Sequence, residues 1–327
     1  MKAILCRELT GPSGLTLEEI PSPTLGTGQV RLAVRACGIN FADSLITAGQ
    51  YQVKPELPFS PGFEVAGDVL ELGAGVTNVE IGDRVIGIPG QGGYAEEVVV
   101  DASRIVPMPQ AMPYTHGAAF PVIYGTSHVA LHYRARLQPS EVLVVHGAAG
   151  GVGLTAVEIG KRLGATVLAT ASTTEKLDVA RNHGADHLIN VTQEDIRARV
   201  NELTKGLGAD VIYDPVGGDV FTASLRSINF QGRIVVIGFA SGTIPQIPAN
   251  QLLVKNVDVI GVNWPAYAQR QPAILAESLR TLLAWYTEGA IRPYVSETYP
   301  LERALQGLNK VVQRKSTGKI VITMGGN

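Results

Sequence analysis

Cysteine is nearly absent: Cys6 and Cys37 are the only two in 327 residues. Two thiols make neither a disulfide framework nor a four-thiolate zinc site, and a reducing cytoplasm is the simplest home for such a chain. Charge is sparse and balanced, with 17% charged residues and a net charge of −2. Nothing in that balance points to nucleic acid or an anionic membrane as the main partner. No apolar run approaches the ~20 residues of a membrane span. The start, MKAILCRELTG, mixes acid and base and has no apolar core of signal-peptide length. Low-complexity tracts and repeats of solenoid period are missing as well. So is any serine, cysteine and histidine arrangement for covalent catalysis. His128 and His132 stand four apart, a spacing open to a metal pair, but they read as one half-buried helix face.

What the chain has in quantity is glycine, 37 residues, with 45% hydrophobic residues overall. This suits a turn-rich α/β enzyme long enough for two domains. The organising stretch is EVLVVHGAAGGVGLTAVEIGKRLGATVLATASTTEK, residues 141–176. Its β-branched run at 142–145 predicts a strand buried on both faces of a parallel sheet. A helix follows with Val152, Ala156, Ile159 and Leu163 on one face and Gly164 at its C-terminal stop. A second buried strand spans 166–171. Between strand and helix lies a glycine turn. Gly150 lets the backbone approach a pyrophosphate, and Gly153 lets helix and strand pack closely. In G-x-G-x-x-G terms the first position is Ala148, so the pattern reads A-x-G-x-x-G.

The end of the second strand selects the dinucleotide. An NAD site places an acidic residue about 20 positions along, to accept from the ribose 2′-hydroxyl. Here that point holds Ala171, Ser172 and Thr173, with Lys176 just beyond. A hydroxyl and an ammonium suit a 2′-phosphate, so the expected cofactor is NADPH. Ser172 and Glu175 also have the spacing of a helix capping box, which is compatible with that role.

Short β-type runs at 30–35, 64–72, 84–88 and 94–100, separated by Gly and Pro turns, predict a barrel-like β domain over 1–122. From 123 to 263 strands alternate with helices. The later strands are expected at 187–190, 210–214, 233–238 and 257–262, giving a doubly wound parallel Rossmann-type sheet. The tail, 264–327, carries helical patterns at 274–287 and 301–312 and a strand at 319–323, and is expected to rejoin the first domain.

Six segments in this order carry a family resemblance: CGINFADSLITAGQY (37–51), LPFSPGFEVAGDV (57–69), GAAGGVGLTAVEIGKRLGA (147–165), DHLIN (186–190), VIYDPVGG (211–218) and GRIVVIGFASG (232–242). Together they resemble the medium-chain dehydrogenase/reductase superfamily, and within it the zinc-free quinone oxidoreductase, or zeta-crystallin-like, branch. The resemblance implies a GroES-like catalytic domain beside the Rossmann domain. Zinc-dependent members carry a catalytic cysteine where this chain has Asn40, and a histidine where it has Phe63. Their structural zinc loop has no counterpart after Gly87, so no metal is expected.

Without a Lewis acid, the chemistry implied is hydride delivery from NADPH to an acceptor already electrophilic, a quinone or an α,β-unsaturated carbonyl. By resemblance, Asn40 and Asp43 are the candidate catalytic residues, with helix capping as their structural alternative. The candidate cofactor residues are Tyr51, Thr126, Ala149, Gly150, Gly151, Val152, Ser172, Lys176, Val216, Phe239, Ala240, Ser241 and Arg314. Tyr94, Trp264 and Tyr267 are candidates for the substrate slot, against core packing as the default. Many relatives have a tyrosine where this chain has Leu45, and another where it has Val191. Two other readings stay open: an enoyl-thioester reductase, and a nucleotide-binding protein with a structural or RNA-binding role. The resemblance and the apolar edge strand at 257–262 imply a homodimer.

Overall fold

The computed structural model describes residues 1–325. The chain forms two compact units: Met1–Val122 with the chain from Arg292 on, and Ile123–Ile291. The first unit starts with an antiparallel pair, β1 (Lys2–Cys6) and β2 (Leu15–Glu19). There follow β3 (Gln29–Ile39), helix α1 (Phe41–Thr47), β4 (Val65–Leu72), β5 (Arg84–Gly87), β6 (Glu97–Asp101), β7 (Ile105–Pro107) and the short α2 (Tyr114–Ala118). Val30, Leu32 and Val34 of β3 alternate inward and are buried, the period-two pattern of a strand with one covered face.

Helix α3 (Pro121–His128) leads to the second unit and continues into a π-helical turn, Val129–Arg134. Then come β8 (Val142–Val145), α4 (Gly151–Arg162), β9 (Thr166–Ala171), α5 (Thr174–Asn182), β10 (His187–Asn190) and α6 (Ile196–Leu203). The unit continues with β11 (Ala209–Asp214), α7 (Asp219–Ser227), β12 (Ile228–Val236), α8 (Ala249–Lys255) and β13 (Asp258–Gly261). It ends with α9 (Trp264–Arg270) and α10 (Pro272–Thr287). The six strands form one parallel sheet in the order β10-β9-β8-β11-β12-β13. Leu143, Val144 and Val145 of β8 have no exposed surface, as expected of a central strand covered on both faces. The connections run one way from β8 through β9 to β10 and the other way from β11 through β12 to β13, so the strand order switches between β8 and β11. That is the switch point where open α/β sheets bind ligands, beyond the carboxyl ends of the strands.

Back in the first unit, β14 (Val295–Pro300), α11 (Ala304–Val312) and β15 (Lys319–Thr323) complete a sheet ordered β14-β15-β3-β4-β5-β7, with β6 also on β3. The return to this unit comes at Arg292, not at 264. The reason is visible in α10. Its Ser278 hydroxyl lies 2.8 Å from Nδ1 of His128, and Arg162 of α4 reaches both the Trp285 ring and Glu288. Those contacts hold α10, and with it the preceding α9, to the second unit. Among the described residues no helix is long and apolar enough to cross a membrane.

Candidate functional site

In the second unit the turn after β8 is shaped by Gly147, whose φ of 56° is left-handed. This explains the A-x-G-x-x-G departure. The residue that needs a glycine conformation sits one place before Ala148, and Ala148 itself is buried with its N–H bonded to the Thr170 carbonyl at 3.0 Å. Gly153 is required by space: a Cβ there would lie 2.3 Å from the Gly147 oxygen and 2.9 Å from Ala148 Cα. Gly150 caps α4 at φ −78°, ordinary for any residue, and a Cβ there meets nothing nearer than the Gly147 oxygen at 3.3 Å. A Cβ at Gly150 would thus be a tight contact, not the overlap it would be at Gly153. The bare backbone at Gly150 leaves the start of α4, where N–H groups lack carbonyl partners, uncovered by a side chain.

Ala149, Gly150, Gly151 and Val152 form this turn and first helical residues. Neighbouring segments are tied to it. Ser127, next to Thr126 on α3, has its hydroxyl 2.9 Å from the Val152 carbonyl and 2.9 Å from the Tyr213 hydroxyl. After β11, the buried Asp214 accepts from the N–H groups of Val216 and Gly217 at 2.7 and 2.9 Å. The Ala240 and Ser241 N–H groups then bond to the carbonyls of Pro215 and Val216 at 3.0 and 2.8 Å. Phe239 stands 37% exposed at the head of that loop. The second unit thus places Ala149–Val152, Val216 and Phe239–Ser241 past the carboxyl ends of β8, β11 and β12, with Thr126 on α3 beside the Ser127 that is tied to Val152.

At the end of β9 the cap differs from expectation. Thr173, not Ser172, caps α5, its hydroxyl accepting from the Lys176 N–H at 3.3 Å. Its backbone is extended there (φ −141°), whereas Ser172 is exposed one residue earlier and keeps its hydroxyl out of the cap. No acidic side chain stands at 171–174.

The first unit holds a second polar assembly. Asn40 precedes α1, and Asp43 reaches back to accept from its N–H at 2.7 Å, one half of a capping box. The same carboxylate accepts from Gly62 N at 3.1 Å and from the Tyr94 hydroxyl at 3.1 Å. Burial pushes the Asp43 pKa up to about 7, against these hydrogen bonds and the Lys319 charge, which act downward. Glu64 and Lys319, neither of them expected from the sequence, complete the group: Lys319 Nζ lies 2.6 Å from Glu64 Oε1. Asn40 is 8% exposed and Asp43 fully enclosed, so Asn40 is the cluster's contact with the outside. Tyr94 belongs to the core, fully buried on Asp43, rather than to an open slot. Trp264 is likewise buried, packed on Gly125, while Tyr267 is half-buried.

Tyr51 packs edge-on against Phe63 with ring centroids 5.6 Å apart. Arg314 lies in the first unit, exposed after α11 with a left-handed φ of 57°. His128 and His132 are stacked at 5.1 Å, one buried and one exposed, and burial lowers the His128 pKa to about 4. Among the described residues no group of three or more His, Cys, Asp or Glu is placed to hold a metal ion.

Residues 26–110 match the model of the alcohol dehydrogenase GroES-like domain, and residues 151–282 that of the zinc-binding dehydrogenase family. A quinone oxidoreductase-like protein 2 homolog of Nematostella vectensis is 44% identical over 98% of this chain and 88% of its own length. The Escherichia coli quinone oxidoreductase complexed with NADPH superimposes with a TM-score of 0.93 at 29% identity, over 99% of this chain and 100% of that one. A mycobacterial protein complexed with NADPH gives a TM-score of 0.93 at 32% identity, with the same shares covered. The chain belongs to the medium-chain dehydrogenase/reductase superfamily of oxidoreductases, in its quinone oxidoreductase branch.

Proposed function

We propose that this protein transfers hydride from NADPH to a quinone or an α,β-unsaturated carbonyl. The observation that carries the cofactor half is the pairing of a bare glycine backbone at the start of α4 with a hydroxyl and an ammonium, Ser172 and Lys176, at the end of β9. The residues fit a dinucleotide: pyrophosphate against Ala149–Val152, 2′-phosphate at Ser172 and Lys176, and the reactive ring by Thr126, Val216 and Phe239–Ser241. Two solved relatives are described as complexes with NADPH, which supports the same reading. Bound NADPH supplies the hydride. The protein's part is to orient, exclude water and manage a proton. Tyr51 and Arg314 are assigned to the cofactor on the resemblance alone.

The acceptor half rests on the residues at the metal-ligand positions. Asn40 and Phe63 leave no cysteine or histidine to hold a Lewis acid there, so an alcohol gains no help in forming an alkoxide. Asn40 serves as the polar contact with the acceptor, and Asp43 as the titratable group behind it that takes up or gives a proton near neutrality. A steady-state screen of NADPH oxidation over quinones, enones and acyl-CoA esters tests this. Quinones or enones should turn over; turnover of acyl thioesters alone would favour the enoyl-thioester reading.

Cofactor choice is checked by calorimetry. NADPH should bind at least about tenfold more tightly than NADH, a gap of ~1.4 kcal/mol, and Lys176→Ala should narrow it. Equal affinities in the unaltered protein would defeat the assignment.

A homodimer follows from the sheet edge. Among the described residues β13 pairs with β12 alone, at the edge of the sheet, and Leu253 and Val254 of the preceding α8 are 79% and 76% exposed. An edge strand beside exposed apolar side chains invites a second copy. Light scattering should give twice the chain mass, falling toward the monomer in a variant with lysine at Leu253 and Val254. A monomer at all concentrations would contradict it.

A further inference from the structure

The buried ion pair Lys319–Glu64 is not explained by stability. Its side chains are 3% and 0% exposed, and buried pairs often stabilise no better than apolar residues of the same volume. What the pair does hold is the Asn40 amide. Lys319 Nζ donates to Asn40 Oδ1 at 2.5 Å, and Asn40 Nδ2 donates to Glu64 Oε1 at 2.9 Å. An ammonium can only donate and a carboxylate only accept, so the two partners also decide which way round the amide lies. Glu64 Oε2 is anchored in turn by the Val122 N–H at 2.9 Å. Gly38 leaves the arrangement no slack: a Cβ there would be 2.7 Å from Glu64 Oε1 and 2.9 Å from Lys319 Cε.

We propose that Lys319 and Glu64 are positioning residues for the reaction. The pair fixes the Asn40 amide and sets a tethered cation beside the position at which zinc-dependent members of the superfamily carry a metal-ligating cysteine. The topology accounts for how a residue 279 positions away arrives there. Ile320 of β15 pairs with Ile39 of β3, so the next antiparallel step sets Lys319 against Asn40. The cation also acts on the neighbouring acid. Asp43 faces Lys319, Tyr94, Cys37 and Tyr51; the Lys319 charge favours its ionised form, as do the hydrogen bonds from Tyr94, Asn40 and Gly62, while burial opposes it. Lys319 thus works through Asn40 by hydrogen bonding and through Asp43 by charge.

The inference rests on the hydride-transfer reading, and two measurements keep the two separable. The first is kcat and KM with NADPH and the best acceptor of the screen, for Lys319→Met, Lys319→Arg and the double variant Lys319→Met/Glu64→Gln. The double variant removes both charges, so neither is left buried alone. Lys319→Met and the double variant should lose about ten- to a thousandfold in kcat, with the NADPH Kd within about twofold, and Lys319→Arg should recover most of the loss. The second is the titration of the Asp43 carboxyl carbon by NMR, which needs no turnover. Its midpoint, and any limb of the pH–rate profile that follows it, should move to higher pH in Lys319→Met and stay in Lys319→Arg. If the unaltered protein turns over no acceptor, the functional reading fails while the titration still reports on Lys319. A folded Lys319→Met or double variant with unchanged kcat and unchanged Asp43 titration would overturn the inference.

Discussion

Gly153→Ala is expected to destabilise the protein by about 3 kcal/mol or more, the upper range for forcing extra volume into packed structure. The added Cβ would stand 2.3 Å from a backbone oxygen and 2.9 Å from a backbone carbon. Neither atom can turn aside as a side chain could. The Gly147 turn must therefore shift, and with it the start of α4, so NADPH affinity should fall by about a hundredfold, ~2.7 kcal/mol. Gly150→Ala is the control that separates packing from binding. Its φ is ordinary and its Cβ meets one atom, the Gly147 oxygen at 3.3 Å, a tight contact that a small shift relieves, so thermal unfolding should fall by no more than the few degrees of a ~1 kcal/mol change, far less than in Gly153→Ala. NADPH should nevertheless bind about tenfold or more weakly, because the methyl group occupies the face meant for the pyrophosphate. Unfolding curves by circular dichroism and calorimetric titration of both variants check the pair. Equal loss of stability in the two, or full affinity in Gly150→Ala, would show that the turn is not the pyrophosphate site.

The second large effect is at Asp43. Asp43→Ala leaves the N–H groups of Asn40 and Gly62 and the Tyr94 hydroxyl without their partner inside the first unit. At about 1–3 kcal/mol for each buried group left unsatisfied, a loss on the order of 4 kcal/mol is expected. The same change should lower kcat/KM by about 10 to 10³. The pH dependence has a definite sign. The folded pKa, about 7, is above the unfolded value of about 3.9, so between those pH values the folded chain holds a proton that the unfolded chain has released. This group's contribution to stability is complete below pH ~4 and is lost as pH rises through about 7. The loss is on the order of 4 kcal/mol at most. Urea denaturation at pH 5 and pH 8 should show the unaltered protein weaker at the higher pH, and a smaller difference in Asp43→Asn. An equal fall in Asp43→Asn would mean that Asp43 is ionised throughout this range.

The local signals in the sequence carried as far as local physics reaches. The run 142–145, the glycine turn and the apolar helix face predict β8, the turn and α4 because each depends on residues a few positions apart. The same proximity makes β15 legible from its apolar run, and the edge position of β13 follows from its place in the doubly wound order. Lys319 was not legible as a site residue. It reads as the polar start of a strand, and only the antiparallel register of β15 on β3 brings it to Asn40. Glu64 is hidden in the same way, because its partners lie at Asn40, Val122 and Lys319, far from it in sequence. The sequence pattern starts the return to the first unit at 264 and the structure at Arg292, 28 residues later, because nothing local tells α9 and α10 which unit they cover. Ser172 and Thr173 are equivalent as caps by composition, and the choice between them was made by the extended backbone at Thr173.

The central claim is that hydride passes from NADPH to an already electrophilic acceptor without activation of an alcohol. The most direct measurement uses NADPH deuterated on the transferring face of the nicotinamide ring with an α,β-unsaturated ketone, the product being analysed by mass spectrometry and NMR. Deuterium bound to the β-carbon, with a solvent proton at the α-carbon, is the result predicted. Deuterium at the carbonyl carbon, giving an allylic alcohol, together with brisk NADP⁺-dependent oxidation of simple secondary alcohols, would contradict it.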